Sequence, residues 1–328
     1  MKNPWLVDVP VALIFFNRAD LFKQVFECVR VAKPSKLFLI QDGARINKPN
    51  DEIGIKECRE ICKNIDWECE VHEDFSSCNL GCGQRVFTGI TNAFKLVDRL
   101  VIIEDDIEFS PSFLMFSKEL LERYKDDQRI WQISGMNHFG VYEDCDNDYF
   151  FSRGGGIWGW ATWKRVWDEI DWTLPAAEDV YLNKTLRRNG YPRGYGDMLA
   201  EKAKCVRDMI LSGNPPSFWS YHMLYYSYLQ NRLVLTPKYN MISNIGMASD
   251  STHNDGNLKV LTKEAQSLFY AKRFDLNFPL KHAKYVLDDR YYKEMQDELM
   301  YPTGWHRIVS GLEYRVRKLI YGNHFWNK

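Results

Sequence analysis

The chain has 328 residues, 45% hydrophobic and 15% aromatic, enough for two packed lobes and too rich in core residues for a disordered chain. Its 43 basic and 44 acidic residues give a formal net charge of -1, so no global field draws it to nucleic acid or a membrane. Eight cysteines in a chain this long lack the density of a disulfide-stapled secreted scaffold and are expected as reduced thiols. Cys58 with Cys62 and Cys78 with Cys82 form two C-x3-C pairs that zinc could use. The first pair has helical spacing and the second adjoins glycines, so core or loop thiols are expected instead.

From the N-terminus, "MKNPWLVDVPVALIFFNRADLF" has the basic start and apolar run of a secretory leader, but Asp8 interrupts the run and no small-residue cleavage site follows. A first strand is expected over residues 9–16. No stretch approaches the roughly 18 apolar residues of a membrane span, so a cytoplasmic protein is expected. Leu21, Val25, Phe26 and Val29 predict a helix over 19–31. "KLFLIQD" (36–42) predicts a second strand, and Ile53, Ile55, Cys58, Ile61 and Cys62 a helix over 52–65. A third strand at 67–73, a helix over 83–96 carrying Val86, Ile90, Ala93 and Phe94, and a fourth strand in "RLVIIEDD" (99–106) complete the alternation. Strands alternating with helices through short connections imply crossover units, hence a Rossmann-like, mainly parallel sheet flanked by helices.

The fourth strand runs straight into Glu104, Asp105 and Asp106, with Glu108 close behind. Adjacent acids repel one another and gain nothing from a buried strand. Ligands of open α/β sheets, however, bind beyond the carboxyl ends of the strands. The other strand ends are polar too: Asn17 and Arg18, then Gln41, Asp42 and Gly43, then Glu73 and Asp74. An acidic cluster there can hold Mg²⁺ or Mn²⁺, which commonly take one or two carboxylates plus substrate phosphates and water.

Beyond the acids, Ser110 and Pro111 are expected to cap and open a helix with an apolar stripe of Phe113, Phe116, Leu120, Leu121 and Tyr124. A strand is expected over 130–137. In "YFFSRGGGIWGWATWKRVW" (149–167) a glycine triplet joins four tryptophans, either a close backbone approach to a ligand beside an aromatic sugar platform, or a tight turn plus core. Ser217 could cap a helix through "FWSYHMLYYSYLQ", and residues 231–246 then read as strand and loop. The last segment, 304–328, mixes cations with Trp305, Ile308, Leu312, Leu319 and Ile320; it is either a basic amphipathic helix on an anionic membrane surface or a terminal helix docked on its own domain.

Taken in order, "VALIFFNR", "LIQDGA", "VIIEDDIEFSPSF", "GGGIWGWATWKRVW" and "STHND" resemble the landmarks of GT-A-fold glycosyltransferases over residues 9–255. The likeness is to the N-acetylglucosaminyltransferase I type and related bacterial sugar transferases of surface polysaccharide synthesis. It implies a GT-A (nucleotide-diphospho-sugar transferase) fold, with a nucleotide-sugar lobe over 1–110, an acceptor lobe over 111–260 and a helical extension over 261–328. It also implies a UDP-sugar donor such as UDP-GlcNAc, Mn²⁺ (or Mg²⁺) as cofactor, and a glycan or lipid-linked glycan acceptor in lipopolysaccharide or capsule synthesis. Arg18 and Asp42 match uracil-binding positions, Asp106 the direct metal ligand, Glu104 and Asp105 the contacts to donor sugar and ribose, and His253 a histidine near the diphosphate.

An inverting transferase needs a base for the acceptor hydroxyl, worth about 10²–10⁴-fold in rate. The family's carboxylate belongs near the tryptophan matched by Trp219, where this chain reads "SFWSYH" with no acid. Asp250, Asp197 and His222 are the substitute candidates. Two other classes compete: a sugar-phosphate nucleotidyltransferase, although no glycine-rich basic loop follows the first strand, and a glycan-binding protein that keeps the fold without catalysis.

Overall fold

The computed structural model describes residues 2–190, 194–247 and 257–322. The β-branched run after Asp8 forms β1 (Val7–Phe15), nearly all of it buried. Asn17 and Arg18 turn the chain into α1 (Ala19–Ala32), which lays Phe22, Val25, Phe26 and Val29 against the core. β2 (Pro34–Gln41), α2 (Pro49–Cys62), β3 (Glu70–Phe75), α3 (Cys82–Ala93) and β4 (Arg99–Glu104) follow. The third strand begins later than its sequence pattern suggests. Trp67 is wholly buried and donates its indole N–H to the Pro34 carbonyl (2.8 Å), so it serves the core from the preceding loop. Cys58 and Cys62 are buried on α2, and all eight cysteines are free thiols.

After β4 come β5 (Ile107–Phe109), α4 (Ser112–Arg123), β6 (Ile130–Ser134), β7 (Tyr149–Ser152), β8 (Trp160–Trp163) and the single turn α5 (Lys164–Trp167). α6 (Val180–Asn189), α7 (Tyr195–Leu211), α8 (Ser220–Leu229), β9 (Leu233–Pro237) and β10 (Ile242–Asn244) continue the chain. The described residues end with α9 (Lys263–Ser267), α10 (Arg290–Met300) and α11 (Gly304–Tyr321). One eight-stranded sheet has the order β3-β2-β1-β4-β8-β6-β9-β7, and β10 pairs with β5 in a separate ribbon. The first four strands are mutually parallel; β8 and β7 run antiparallel to their neighbours. The protein is thus an α/β fold with a Rossmann-like half, and its sheet runs unbroken across residue 110 through the β4–β8 pairing.

Two helix starts differ from the sequence reading. α4 opens at Ser112 with no side-chain cap; Ser110 meets the Ser112 hydroxyl (3.2 Å), and Ser112 donates to Asp275. α8 opens at Ser220, three residues past Ser217, also without a side-chain cap. Among the described residues no helix is long and apolar enough to cross a membrane.

Asp51, buried in the first turn of α2, holds the front of the sheet together. It accepts from Asn17 Nδ2 (2.8 Å), the Arg45 backbone N–H (3.0 Å) and the Arg45 guanidinium (2.7 and 2.8 Å). The end of β1, the loop after β2 and α2 are thereby one unit. Removing one member of a buried network leaves its partners unsatisfied, so Asp51→Ala should cost about 1–3 kcal/mol. Denaturant unfolding checks this, and an unchanged midpoint would show that the network does not set the loop.

Candidate active site

β2 and β3 extend the sheet on one side of β1, and β4 lies on the other. The order of connection therefore reverses between β1 and β4, the place where open α/β sheets leave a crevice beyond their carboxyl ends. β1 delivers Asn17 and Arg18 to this point. β4 delivers Glu104, and the tight turn before β5 delivers Asp105 and Asp106.

Arg18 bridges the two strand ends. Its Nη2 pairs with Asp105 Oδ1 and, at 2.9 Å, with Asp106 Oδ2, while Nε lies 3.4 Å from Asp105 Oδ2. The Phe16 backbone N–H also points to Asp105 Oδ2 (3.4 Å). One guanidinium thus faces three carboxylates. Burial, then repulsion from Asp106 and Asp105, pushes Glu104 up to about 8. Burial and the Asp105 charge also raise Asp106, against the pull of Arg18. Burial lowers Arg18, but attraction to Asp105 and Asp106 outweighs it and the net direction is upward. Glu108, the fourth acid, lies outside the cluster and pairs with Arg273 (3.1 Å), which also donates to the Phe109 carbonyl (3.1 Å).

The cluster is backed by β10. Ile245 donates its N–H to the Asp106 carbonyl (2.9 Å), and a Cβ at Gly246 would collide with the Asp106 carboxylate. Only glycine allows the backbone so close. Residues 248–256 follow one residue later, so Asp250 and His253 lie outside the described residues.

A divalent cation suits the donor chemistry in one particular way. Among the described residues no group of three His, Cys, Asp or Glu side chains is arranged to hold a metal unaided. Asp106, its side chain 19% exposed and paired with Arg18, would offer one carboxylate to a Mg²⁺ or Mn²⁺ whose shell phosphates and water complete.

Asp42 takes a different position. Oδ1 accepts from the Gly43 and Leu80 N–H groups (both 2.9 Å), and Oδ2 from the Gly81 N–H (2.9 Å) and Asn79 Nδ2 (3.0 Å). Both oxygens are filled, so Asp42 fixes the loop leading into α3, and direct contact with a base requires release of one partner. That helix start lies near the acids: burial first, then the charges of Glu104, Asp105 and Asp106, pushes the Cys82 thiol up to about 12. Arg85 on α3, buried, binds the Asp74 carboxylate (2.8 Å) and the Gln41 carbonyl (3.1 Å), joining the ends of β2 and β3.

Two base candidates are engaged by other groups. His222 is 1% exposed, stacked on Trp172 (centroids 4.4 Å apart), with ring nitrogens 2.9 Å from the Trp172 carbonyl and 3.2 Å from that of Trp219. It is a core histidine, its protonation disfavoured chiefly by burial. Asp197 is exposed on the first turn of α7 and pairs with Arg187 (3.0 Å).

The glycine triplet 154–156 floors a cavity of about 290 Å³ under α8 and α10. A Cβ at Gly154 would strike Gln296, one at Gly155 Val234, and one at Gly156 Met136, so these glycines permit close packing of protein on protein. Of the four tryptophans, Trp160, Trp163 and Trp167 are core; only Trp158 lines the cavity, joined by Tyr195, Tyr221 and Tyr301. Lys293 pairs with Asp297, and Gln296 Nε2 meets His138 (3.1 Å), whose protonation burial and Lys293 push down to about 4. Among the described residues, three buried atoms of side chains around this cavity find no hydrogen-bond partner: Trp131 Nε1, Gln296 Oε1 and Asp297 Oδ2.

No family model matches the sequence, and no curated protein is detectably similar to it. Among solved structures, a UTP-bound UGPase from Acinetobacter baumannii aligns with TM-score 0.33 and 9% identity over 72% of this chain and 88% of that one. An alignment this loose carries no argument, and the fold and site stand on the geometry above.

The sequence did not single out Arg85, Arg273 or Gly246. Arg85 had a signal, an arginine three residues into an otherwise apolar helical stripe; Gly246 had none. Arg18→Ala removes the cation that pairs with Asp105 and Asp106. Breaking a buried ion pair typically costs about 3–5 kcal/mol, so urea unfolding should show a large loss, part of it restored in the double variant Arg18→Ala/Asp105→Asn. Equal stability of wild type and Arg18→Ala would remove Arg18 as the keystone.

Proposed function

We propose that the protein is a metal-dependent glycosyltransferase that takes a UDP-sugar in the crevice between the ends of β1 and β4. The observation that carries this reading is the acid turn at the switch point of the sheet, held by Arg18 and touched by Gly246. A carboxylate cluster with surplus charge at a strand-end crevice suits a nucleoside diphosphate that brings its own cation.

In this reading Asp106 would hold Mn²⁺ or Mg²⁺, and Asp105 and Glu104 would face the ribose and donor sugar. The bound cation would supply Lewis-acid stabilisation of the departing diphosphate. Arg18 holds Asp105 and Asp106 in place before the ligand arrives. Asp42 acts on the nucleoside through the loop it anchors or, after releasing one N–H, directly. With His222 buried and Asp197 paired, Asp250 is the remaining base candidate, and His253 is assigned to the diphosphate.

We assign acceptor recognition to the cavity above the glycine triplet. The aromatic walls, Trp158 with Tyr195, Tyr221 and Tyr301, suit the apolar faces of a sugar ring. A glycan or lipid-linked glycan of bacterial surface polysaccharide fits this chemistry.

The test is product analysis. With Mn²⁺, UDP-sugars and glycan acceptors, the protein should release UDP, and Asp106→Asn should lower that rate on the order of a hundredfold or more. Release of pyrophosphate from UTP and a sugar phosphate, with no UDP from any UDP-sugar, would replace this reading by a nucleotidyltransferase. Neither product with any substrate would favour a glycan-binding protein.

A further inference from the structure

α11 is built the wrong way round for a helix that docks on its own protein. Its only half-buried residues are His306, Ser310, Glu313 and Arg317, spaced at one helical face, and they are polar. They anchor the helix to the body: His306 lies 3.0 Å from Glu264 and from Glu298, Glu313 accepts from the Lys263 N–H (2.9 Å), and Arg317 donates to the Lys259 carbonyl (3.1 Å). The apolar residues Ile308, Val309, Leu312, Val316, Leu319 and Ile320 follow the same helical period on the neighbouring face and are exposed, Leu319 by 70%. Trp305, 75% exposed, stands at the head of that stripe.

We propose that α11 docks the protein on an anionic lipid surface, with its apolar stripe in the acyl boundary and Arg307, Arg315 and Lys318 against the headgroups. Those three cations form no ion pair among the described residues. The helix carries Arg307, Arg315, Arg317 and Lys318 against Glu313 alone, a net +3 from four minus one, in a chain of net charge -1. Basic charge concentrated beside an exposed apolar stripe matches anionic headgroups over hydrocarbon. A second copy is the poorer occupant, since pairing two such helices sets +3 against +3. The helix lies on the bilayer and does not cross it. This inference is independent of what the crevice binds.

The full chain should cosediment with vesicles of phosphatidylcholine containing phosphatidylglycerol, and far less with phosphatidylcholine alone. Leu312→Glu/Leu319→Glu should weaken binding about tenfold or more, and Arg307→Gln/Arg315→Gln/Lys318→Gln should weaken it and flatten its salt dependence. All these side chains are exposed, so thermal unfolding and nucleotide affinity should stay at wild-type values in both variants. Equal binding to both vesicle types, or full retention by the leucine variant, would overturn the proposal. So would a soluble dimer that Leu312→Glu dissociates, because the stripe would then belong to a second copy.

Discussion

Three carboxylates at the end of one strand can coexist in a half-buried crevice only if something offsets their repulsion, and here a single guanidinium does. Arg18 belongs to β1 and the acids to β4, so their ion pair fastens together the two strands between which the sheet reverses. The surrounding features serve that junction. Asp51 fixes Asn17 beside Arg18, Asp42 fixes the loop that starts α3 near the acids, and Gly246 lets β10 close over Asp106. Burial first, then repulsion from Asp106 and Asp105, pushes Glu104 up to about 8 against the pull of Arg18.

Much of this was legible in the sequence, for a physical reason. In the first half β1, β2 and β4 are largely buried on both faces and the helices on one, so continuous apolar runs alternate with stripes of helical period and the parallel order follows. The polar residues at strand ends were equally visible, because polar side chains at the carboxyl edge have no role in the core. The second half was less readable. β7 and β8 are four-residue strands buried throughout, and a short aromatic run has no period that separates strand from turn.

Residue roles were less legible than residue positions. Asp42 reads as a ligand-facing acid, yet its oxygens are taken by neighbouring N–H groups. His222 reads as a base beside a tryptophan, yet stacking and two carbonyls enclose it. The glycine triplet reads as a close approach to a ligand or as a tight turn plus core, and its missing side chains make room for Gln296, Val234 and Met136. In each case the deciding partner comes from a distant part of the chain. α11 is the converse case: its amphipathic pattern was plain, and only the structure shows its polar face turned inward.

On the function proposed above, the β1–β4 crevice is a nucleotide site completed by a cation. Calorimetric titration of the purified protein with UDP, with other nucleoside diphosphates as controls and with or without Mn²⁺, tests it most directly. The account predicts UDP-selective binding that depends on the metal. Absence of binding by every nucleotide, with Mn²⁺ present, would contradict it and leave the acid turn a structural feature of the sheet.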